Sequence, residues 1–323
     1  MVNRNSIFGI VENDLATLEI ELLSVIHSPV ELIKNISEHL VQAGGKRLRP
    51  ALYFLCSRIG QAELTQVMPM AVAIELIHMA TLVHDDVIDT ATTRRGKATA
   101  NACWGNNLSV LTGDYLFAKA FSIVTADGNS QELKILTDVI CAVCEGEIIQ
   151  NKDTFNPDQS EQEYLIRIAK KTADFIAASC QLGGMVAGLT AVEVEALQAY
   201  GYAIGMAFQV TDDILDITAS AEQIGKPVGN DLRQGVVTLP VIYALEHSAD
   251  RNELRQIIVE RDMSEQKIKR GLAIVHDTDA IEYSYQRVAD YLKQARNVLP
   301  AACNGKLREA LLSVADFVGL RKY

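Results

Sequence analysis

Asp85-Asp86-Val87-Ile88-Asp89 and Asp212-Asp213-Ile214-Leu215-Asp216 repeat one pattern, D-D-x-x-D, at two distant places in the chain. Side chains four apart on an α-helix lie one turn above each other. Asp85 therefore shares a face with Asp89, and Asp212 shares one with Asp216. Stacked carboxylates repel, and placing them on a mostly apolar helix is costly unless a cation lies between them. Hard divalent cations with oxygen ligands meet that need, and Mg²⁺ is usually held by one or two carboxylates plus water and substrate phosphates. The competing reading is a solvated acidic helix end. It fits poorly, because the residues before each cluster are apolar and the same spacing occurs twice, each time followed by a basic loop. All six aspartates are candidate catalytic groups.

Several basic groups are placed to meet an anion. Gly44-Gly45-Lys46-Arg47-Leu48-Arg49-Pro50 sits between two helical patterns. Glycines let backbone approach a ligand, a following helix start favours an anion, and Lys46 and Arg49 offer charge and fork geometry suited to phosphate oxygens. A helix end followed by surface charges is the plainer alternative. His78 precedes Asp85 by seven residues, two turns along the same face. A lone histidine on an apolar helix is ordinarily a hydrogen-bonded core residue, but the shared face favours a diphosphate contact. His84 points elsewhere and reads as structural. Arg94 and Arg95 are placed to close over whatever the first cluster binds. Lys171 and Thr172 offer an ammonium and a hydroxyl to a second diphosphate. Gln209 shares the face of Asp212 and Asp216, and Lys226 follows that cluster closely enough to reach the same anion.

The elements that must carry these groups are helical. Helical periodicity is nearly continuous. It predicts helices at 9–27, 29–43, 47–59, 66–89, 104–126, 129–152, 160–181, 191–217, 236–247, 250–259, 263–276, 278–297 and 304–319, with no convincing β-hairpin. Breaks fall at Gly44-Gly45, 90–103, Asn156-Pro157, 220–235 and near Pro300. The expected fold class is all-α, in a single domain over 1–323. Apolar residues make up 49% of the chain and aromatics only 6%, a balance that suits helices packed on helices. A net charge of −11 argues against a nucleic-acid partner, which would need a basic stripe. It leaves an anionic substrate open, since bound cations reverse the sign of a carboxylate-rich site.

The six cysteines imply no disulfide framework, and a reducing cytoplasm is the expected location. Cys141 and Cys144 form a lone C-x-x-C in a helical pattern and read as core or near-core thiols. The N-terminal stretch meets acidic residues too early for a secretory signal. The apolar run 67–83 is interrupted by Glu75 and His78 and reads as a core helix, leaving at most peripheral membrane contact.

Taken together, GGKRLRP (44–50), ELIHMATLVHDDVID (75–89), RRGK (94–97), GDYLFAKAF (113–121), KTA (171–173), FQVTDDILD (208–216) and GKPVGNDL (225–232) resemble the trans-isoprenyl diphosphate synthase, or polyprenyl synthetase, family, in the family's order and over most of the chain. The resemblance implies a large helical bundle of the isoprenoid synthase type around a deep central cavity. It implies a homodimer, or a heterodimer with a small helper subunit. It has Asp85, Asp89, Asp212 and Asp216 acting through Mg²⁺ on an allylic diphosphate, with Arg94, Lys171, Thr172, Gln209 and Lys226 holding that substrate. It assigns Lys46, Arg49, His78 and Arg95 to isopentenyl diphosphate. One departure stands out: where many relatives carry a lysine, this chain has Val236, so no phosphate contact is carried over there.

The implied reaction is head-to-tail prenyl transfer. Ala80 and Thr81, just upstream of Asp85, are small, leave room for a growing chain, and are the candidate chain-length residues. The expected product is longer than farnesyl, about six to eight units, of the kind that supplies quinone side chains. A geranylgeranyl product is the nearer alternative. A class I terpene cyclase would carry one such cluster with an N-D-x-x-S motif as the second and would have no use for a second diphosphate pocket. A non-catalytic or regulatory subunit should have lost aspartates, and none of the six is missing.

Overall fold

The computed structural model describes residues 9–60, 62–126, 129–218 and 228–320 of the chain. After a 3₁₀ turn at Gly9–Val11 come α1 (Glu12–Val25), α2 (Glu31–Gln42), α3 (Leu48–Ser57) and α4 (Leu64–Ile88). Two short strands follow, β1 (Thr93–Arg94) and β2 (Lys97–Ala98). The chain continues through α5 (Ala100–Trp104), α6 (Asn106–Ala126), α7 (Ser130–Lys152) and α8 (Glu161–Ile168). A π-helical segment at Ala169–Ala173 leads into α9 (Asp174–Val186), and then α10 (Ala191–Thr218) and α11 (Asn230–Arg233). The C-terminal part holds α12 (Leu239–His247), α13 (Arg251–Glu260), α14 (Glu265–His276), α15 (Ala280–Val298) and α16 (Gly305–Gly319).

The chain forms two compact units, each discontinuous in sequence. One comprises 1–140, 178–197 and 300–311, the other 141–177, 198–299 and 312–323. In the first, α4 is the central element, packed against α1, α3 and α6. It is apolar all round, so it buries side chains in every direction, from Val67 through Ile74 to Val83. A window of α4 is long and apolar enough to cross a membrane, with mean hydropathy 1.6, yet 72% of it is buried within the protein. It is a core helix, as its interruption by Glu75 and His78 predicts. In the second unit α12 packs on α13 and α15. There Ser160 opens α8 with a capping box, its hydroxyl accepting from the Glu163 amide while the Glu163 carboxylate accepts from the Ser160 amide at 2.9 Å.

The all-α class holds, with four local departures. The chain does form a β-hairpin: Thr93 pairs with Ala98 and Arg94 with Lys97. Its two-residue loop, Arg95-Gly96, has φ of 54° and 75°. Positive φ at both loop positions is the hairpin turn whose twist matches the strands, and Asn-Gly or Asp-Gly is its usual signal. Arg-Gly supplies only the second half of that signal. The predicted helix 160–181 is divided by the π segment, and the expected breaks at 90–103 and 220–235 contain α5 and α11. Cys141 and Cys144 are exposed, contrary to the core reading. The inward stripe of α7 runs through Leu136, Val139, Val143 and Glu147, which turns both thiols outward.

Ser160→Ala removes the cap and should lower stability by about 1 kcal/mol, read as a shift of the urea unfolding midpoint.

Candidate active site

Each unit carries one aspartate cluster, and each is built so that its second aspartate does a different job from its neighbours. In the first unit, Asp85 and Asp89 lie at the end of α4, half-buried, with the Asp89 amide donating to the Asp85 carbonyl at 2.8 Å. The two side chains stack one turn apart, as the spacing predicts. Asp86, only 3% exposed, turns toward the hairpin and accepts from Arg94 Nε at 2.7 Å. Asn101 donates to the carbonyls of Asp86 and Ala91, tying the helix end to the segment that follows. Arg94, expected over the first cluster, is there, and its contact is with this buried carboxylate.

The hairpin is fastened to the end of α2. Lys97 Nζ donates to the Gln42 carbonyl at 2.7 Å, and His39 Nε2 donates to the Ala98 carbonyl at 2.8 Å. This brings Arg95 over the Gly44-Gly45-Lys46 loop. A Cβ at Gly45 would lie 2.5 Å from Arg95 Nη1, so glycine is what allows that approach. Lys46 is exposed and Arg49 half-buried. Arg49 Nη1 lies 3.2 Å from His78 Nε2. A guanidinium has no acceptor, so Nε2 accepts and the imidazole proton sits on Nδ1. Burial, together with Arg49 and Arg95, holds His78 well below the usual imidazole range, so it is neutral. Burial also pulls Arg49 down to about 10, opposed first by Glu75 and then by Asp85. It remains a cation at neutral pH. Lys46, Arg49, His78 and Arg95 thus come together in one unit. His84 is structural, as expected: its Nε2 donates to the Val110 carbonyl at 3.1 Å and its ring lies 5.7 Å from that of Phe117. Ala80 is fully buried, and the half-buried Thr81 donates its hydroxyl to the His78 carbonyl.

In the second unit, Asp212 and Asp216 lie half-buried on α10. Asp213 is 4% exposed and accepts from Tyr164 Oη at 2.7 Å and from Gln209 Nε2 at 2.8 Å. Burial pushes the Asp213 carboxyl up to about 6, with those two donors pulling it back. Gln209 is itself oriented by Thr172, whose hydroxyl donates to Oε1 at 2.8 Å. Asp216 accepts from the Asn230 and Asp231 amides at 3.2 and 3.0 Å, and its own carbonyl accepts from Gly229 N. Residues 229–231 are therefore tied to the cluster. Lys226 lies outside the described residues.

Lys171 and Thr172 sit on the π segment, a feature that often marks functional positions in helices. Lys171 Nζ pairs with Glu147 at 2.5 Å. Gly146 makes room, since a Cβ there would lie 2.9 Å from the Lys171 amide. Sequence reasoning missed Glu147, Tyr164 and Arg167. The mid-helix Gly146 was the available signal for the first, because an interior glycine marks a close approach. Arg167 is buried, donates to the Val237 carbonyl at 2.9 Å, and stacks its guanidinium over Tyr164.

The donor chemistry of both clusters, carboxylate oxygen, fits a hard divalent cation. Among the described residues no three carboxylate, imidazole or thiol groups gather to hold an ion by themselves. Mg²⁺ sites completed by substrate phosphate do not require such a set.

The Polyprenyl synthetase family model matches residues 30–275. Heptaprenyl diphosphate synthase component 2 of Geobacillus stearothermophilus is 43% identical over 318 residues, covering 98% of this chain and 99% of that protein. Octaprenyl diphosphate synthase of Escherichia coli is 35% identical over 315 residues, 97% of this chain and 98% of that protein. The crystal structure of a polyprenyl synthase from Caulobacter crescentus, complexed with calcium and isoprenyl diphosphate, superposes with a TM-score of 0.92 at 34% identity, over 99% of this chain and 98% of that one.

Tyr164→Phe leaves a buried carboxylate short of one donor. It should cost about 2 kcal/mol, measured by urea unfolding without ligands.

Proposed function

The chain belongs to the polyprenyl synthetase family, and from that premise we propose that it condenses isopentenyl diphosphate head-to-tail onto an allylic diphosphate, giving an all-trans polyprenyl diphosphate longer than farnesyl. The observation that carries this reading is two separate groups of basic and hydrogen-bonding side chains, each suited to an anion and each beside one aspartate cluster. One is the Lys46, Arg49, His78 and Arg95 group beside the first cluster. The other is the Lys171 and Thr172 group linked through Gln209 to the second cluster. A cyclase has one diphosphate to hold, whereas a condensing enzyme has two. The reading treats 1–323 as one catalytic domain in which both clusters act on the same allylic diphosphate.

Asp85, Asp89, Asp212 and Asp216 would hold Mg²⁺, which supplies charge neutralisation to a leaving diphosphate. The protein's own groups do the rest. Lys171 and Lys226 donate to the allylic diphosphate as its bond to carbon lengthens. Lys46, Arg49 and Arg95 hold the second diphosphate, so that its isopentenyl double bond meets the allylic carbon at short range. Neutral His78 fixes the Arg49 fork. Apolar side chains of α4 keep water from the cationic carbon skeleton. The departing diphosphate takes the proton, since no protein base stands out beside the reacting carbons.

Product length is set by how far the chain can grow past α4. Ala80 and Thr81 offer little bulk there. The lengths printed in the relatives' names, seven and eight units, favour a medium or long product of the quinone side-chain type over a geranylgeranyl one. A second copy or a helper subunit is part of the reading. Leu111 on α6 is 63% exposed and Val110 39% exposed, apolar area that a partner would cover, and the Geobacillus relative is named as one component of its synthase. All six cysteines are free, consistent with a cytoplasmic location.

The test is incubation with farnesyl diphosphate, isopentenyl diphosphate and Mg²⁺, followed by chain-length analysis. Products longer than farnesyl should form, and EDTA should abolish them. Release of diphosphate without isopentenyl diphosphate would instead indicate a cyclase. Ala80→Phe should shift the product to shorter chains. Leu111→Glu should reduce the sedimenting mass if α6 forms the subunit contact.

A further inference from the structure

The loop that presents Lys46 and Arg49 sends a third cation, Arg47, the other way. Arg47 is 6% exposed and its backbone is left-handed, with φ of 49° and ψ of 35°. That conformation is uncommon for a residue with a Cβ and persists only where the surroundings over-determine it. Here four hydrogen bonds do so. Nε donates to Glu19 Oε1 at 2.7 Å and Nη2 to Glu19 Oε2 at 3.0 Å. Nη2 also donates to the Val41 carbonyl at 3.3 Å, and Nη1 to Glu75 Oε1.

Glu75 is the inner anchor. It lies on α4 one turn before His78, and its side chain is 3% exposed. Its second oxygen, Oε2, is buried and has no hydrogen-bond partner. A half-satisfied buried carboxylate is expensive and would not be expected where packing alone was needed. Burial raises the Glu75 carboxyl above its usual range, and Arg47 and then Arg49 pull it back toward the charged form. A cavity of about 40 Å³ is lined by Arg47, Arg94, Arg95 and Glu75, among others. Glu75 is also the largest influence opposing the effect of burial on Arg49 and keeping it protonated. Without an anion beneath them, Arg47, Arg49, Arg94 and Arg95 would repel one another whenever the diphosphate was absent.

We propose that Glu75 is a positioning residue for isopentenyl diphosphate. Through Arg47 it ties the left-handed turn of the glycine loop to α4, and it balances the arginine cluster so that Lys46 and the Arg49–His78 pair stand ready on the outer side. The proposal rests on the reading of Lys46, Arg49, His78 and Arg95 as the isopentenyl diphosphate pocket. Glutamine keeps an acceptor oxygen for Arg47 Nη1 but removes the negative charge, so it cannot balance the arginine cluster.

The test compares the two Michaelis constants. Glu75→Gln should raise KM for isopentenyl diphosphate about tenfold or more while KM for the allylic diphosphate changes less than about twofold. A merely structural role would lower the melting temperature and the yield of active enzyme and would leave both constants alone. Since Glu75→Gln removes a buried counter-charge of Arg47 and can fail to fold, Glu19→Gln is the second variant. It removes the outer anchor of Arg47 at a half-exposed position, and it should raise KM for isopentenyl diphosphate several-fold with the allylic constant unchanged. Equal rises in both constants, or no rise in whichever variant folds, overturn the proposal. Failure of the unaltered enzyme to consume isopentenyl diphosphate would instead overturn the functional reading beneath it.

Discussion

Asp86 and Asp213 are the carboxylates of the two clusters that leave water, and much of the site's architecture serves to satisfy them. A buried carboxylate needs donors from outside its own helix, because the helix has already used its own amides. Asp86 obtains one from Arg94 on the hairpin. Asp213 obtains one from Tyr164 on α8, and Gln209 on its own helix serves only because Thr172 turns the amide toward it. Each bond brings along the element that supplies it. The hairpin that carries Arg94 also carries Arg95. The chain that carries Tyr164 runs on into Lys171 and Thr172. In each unit the middle aspartate locks the cationic element in place, which leaves the stacked outer pair of each cluster as the candidate metal ligands.

The cationic side obeys the same rule with opposite sign. Arg47, Arg94 and Arg95 line the cavity between the glycine loop and the hairpin, together with the acidic groups Asp86 and Glu75. That excess is tolerable because Lys46 and Arg95 remain in water, and because Glu19 joins Glu75 in holding Arg47. The surplus positive charge is what an incoming diphosphate would meet. Strain at Arg47 and Arg95, both with left-handed backbone, is concentrated in the two turns that face this anion.

The aspartate clusters were legible in the sequence because helical spacing converts directly into a shared face. His78 was legible for the same reason; Lys46 and Arg49 stood out in a glycine loop before a helix start and Arg95 in a basic loop after the first cluster, and their grouping came from the family resemblance. What escaped depends on backbone states that residue type does not announce. Arg47 reads like its neighbours until its left-handed φ turns it inward. The Arg95-Gly96 hairpin loop lacks the asparagine or aspartate that usually marks it. The π segment lies in a stretch that reads as an unbroken helix over 160–181. Glu75 was visible as a lone acid in an apolar run, but nothing in the sequence says which cation it faces. Cys141 and Cys144 were misplaced because the inward stripe of α7 is set by Val143 and Glu147, a register that composition does not fix.

The Lys171–Glu147 pair shows how a resting site can be stable without being closed to substrate. An ammonium held half-buried with no anion near it is costly. Glu147 offers a carboxylate at contact distance, with Gly146 allowing the π segment to come close enough for the pair to form. The pair is partly solvated, with 26% of the lysine side chain exposed, so its net strength is modest. A diphosphate, carrying more charge and more acceptor oxygens than one carboxylate, can draw the ammonium over with little reorganisation of the backbone.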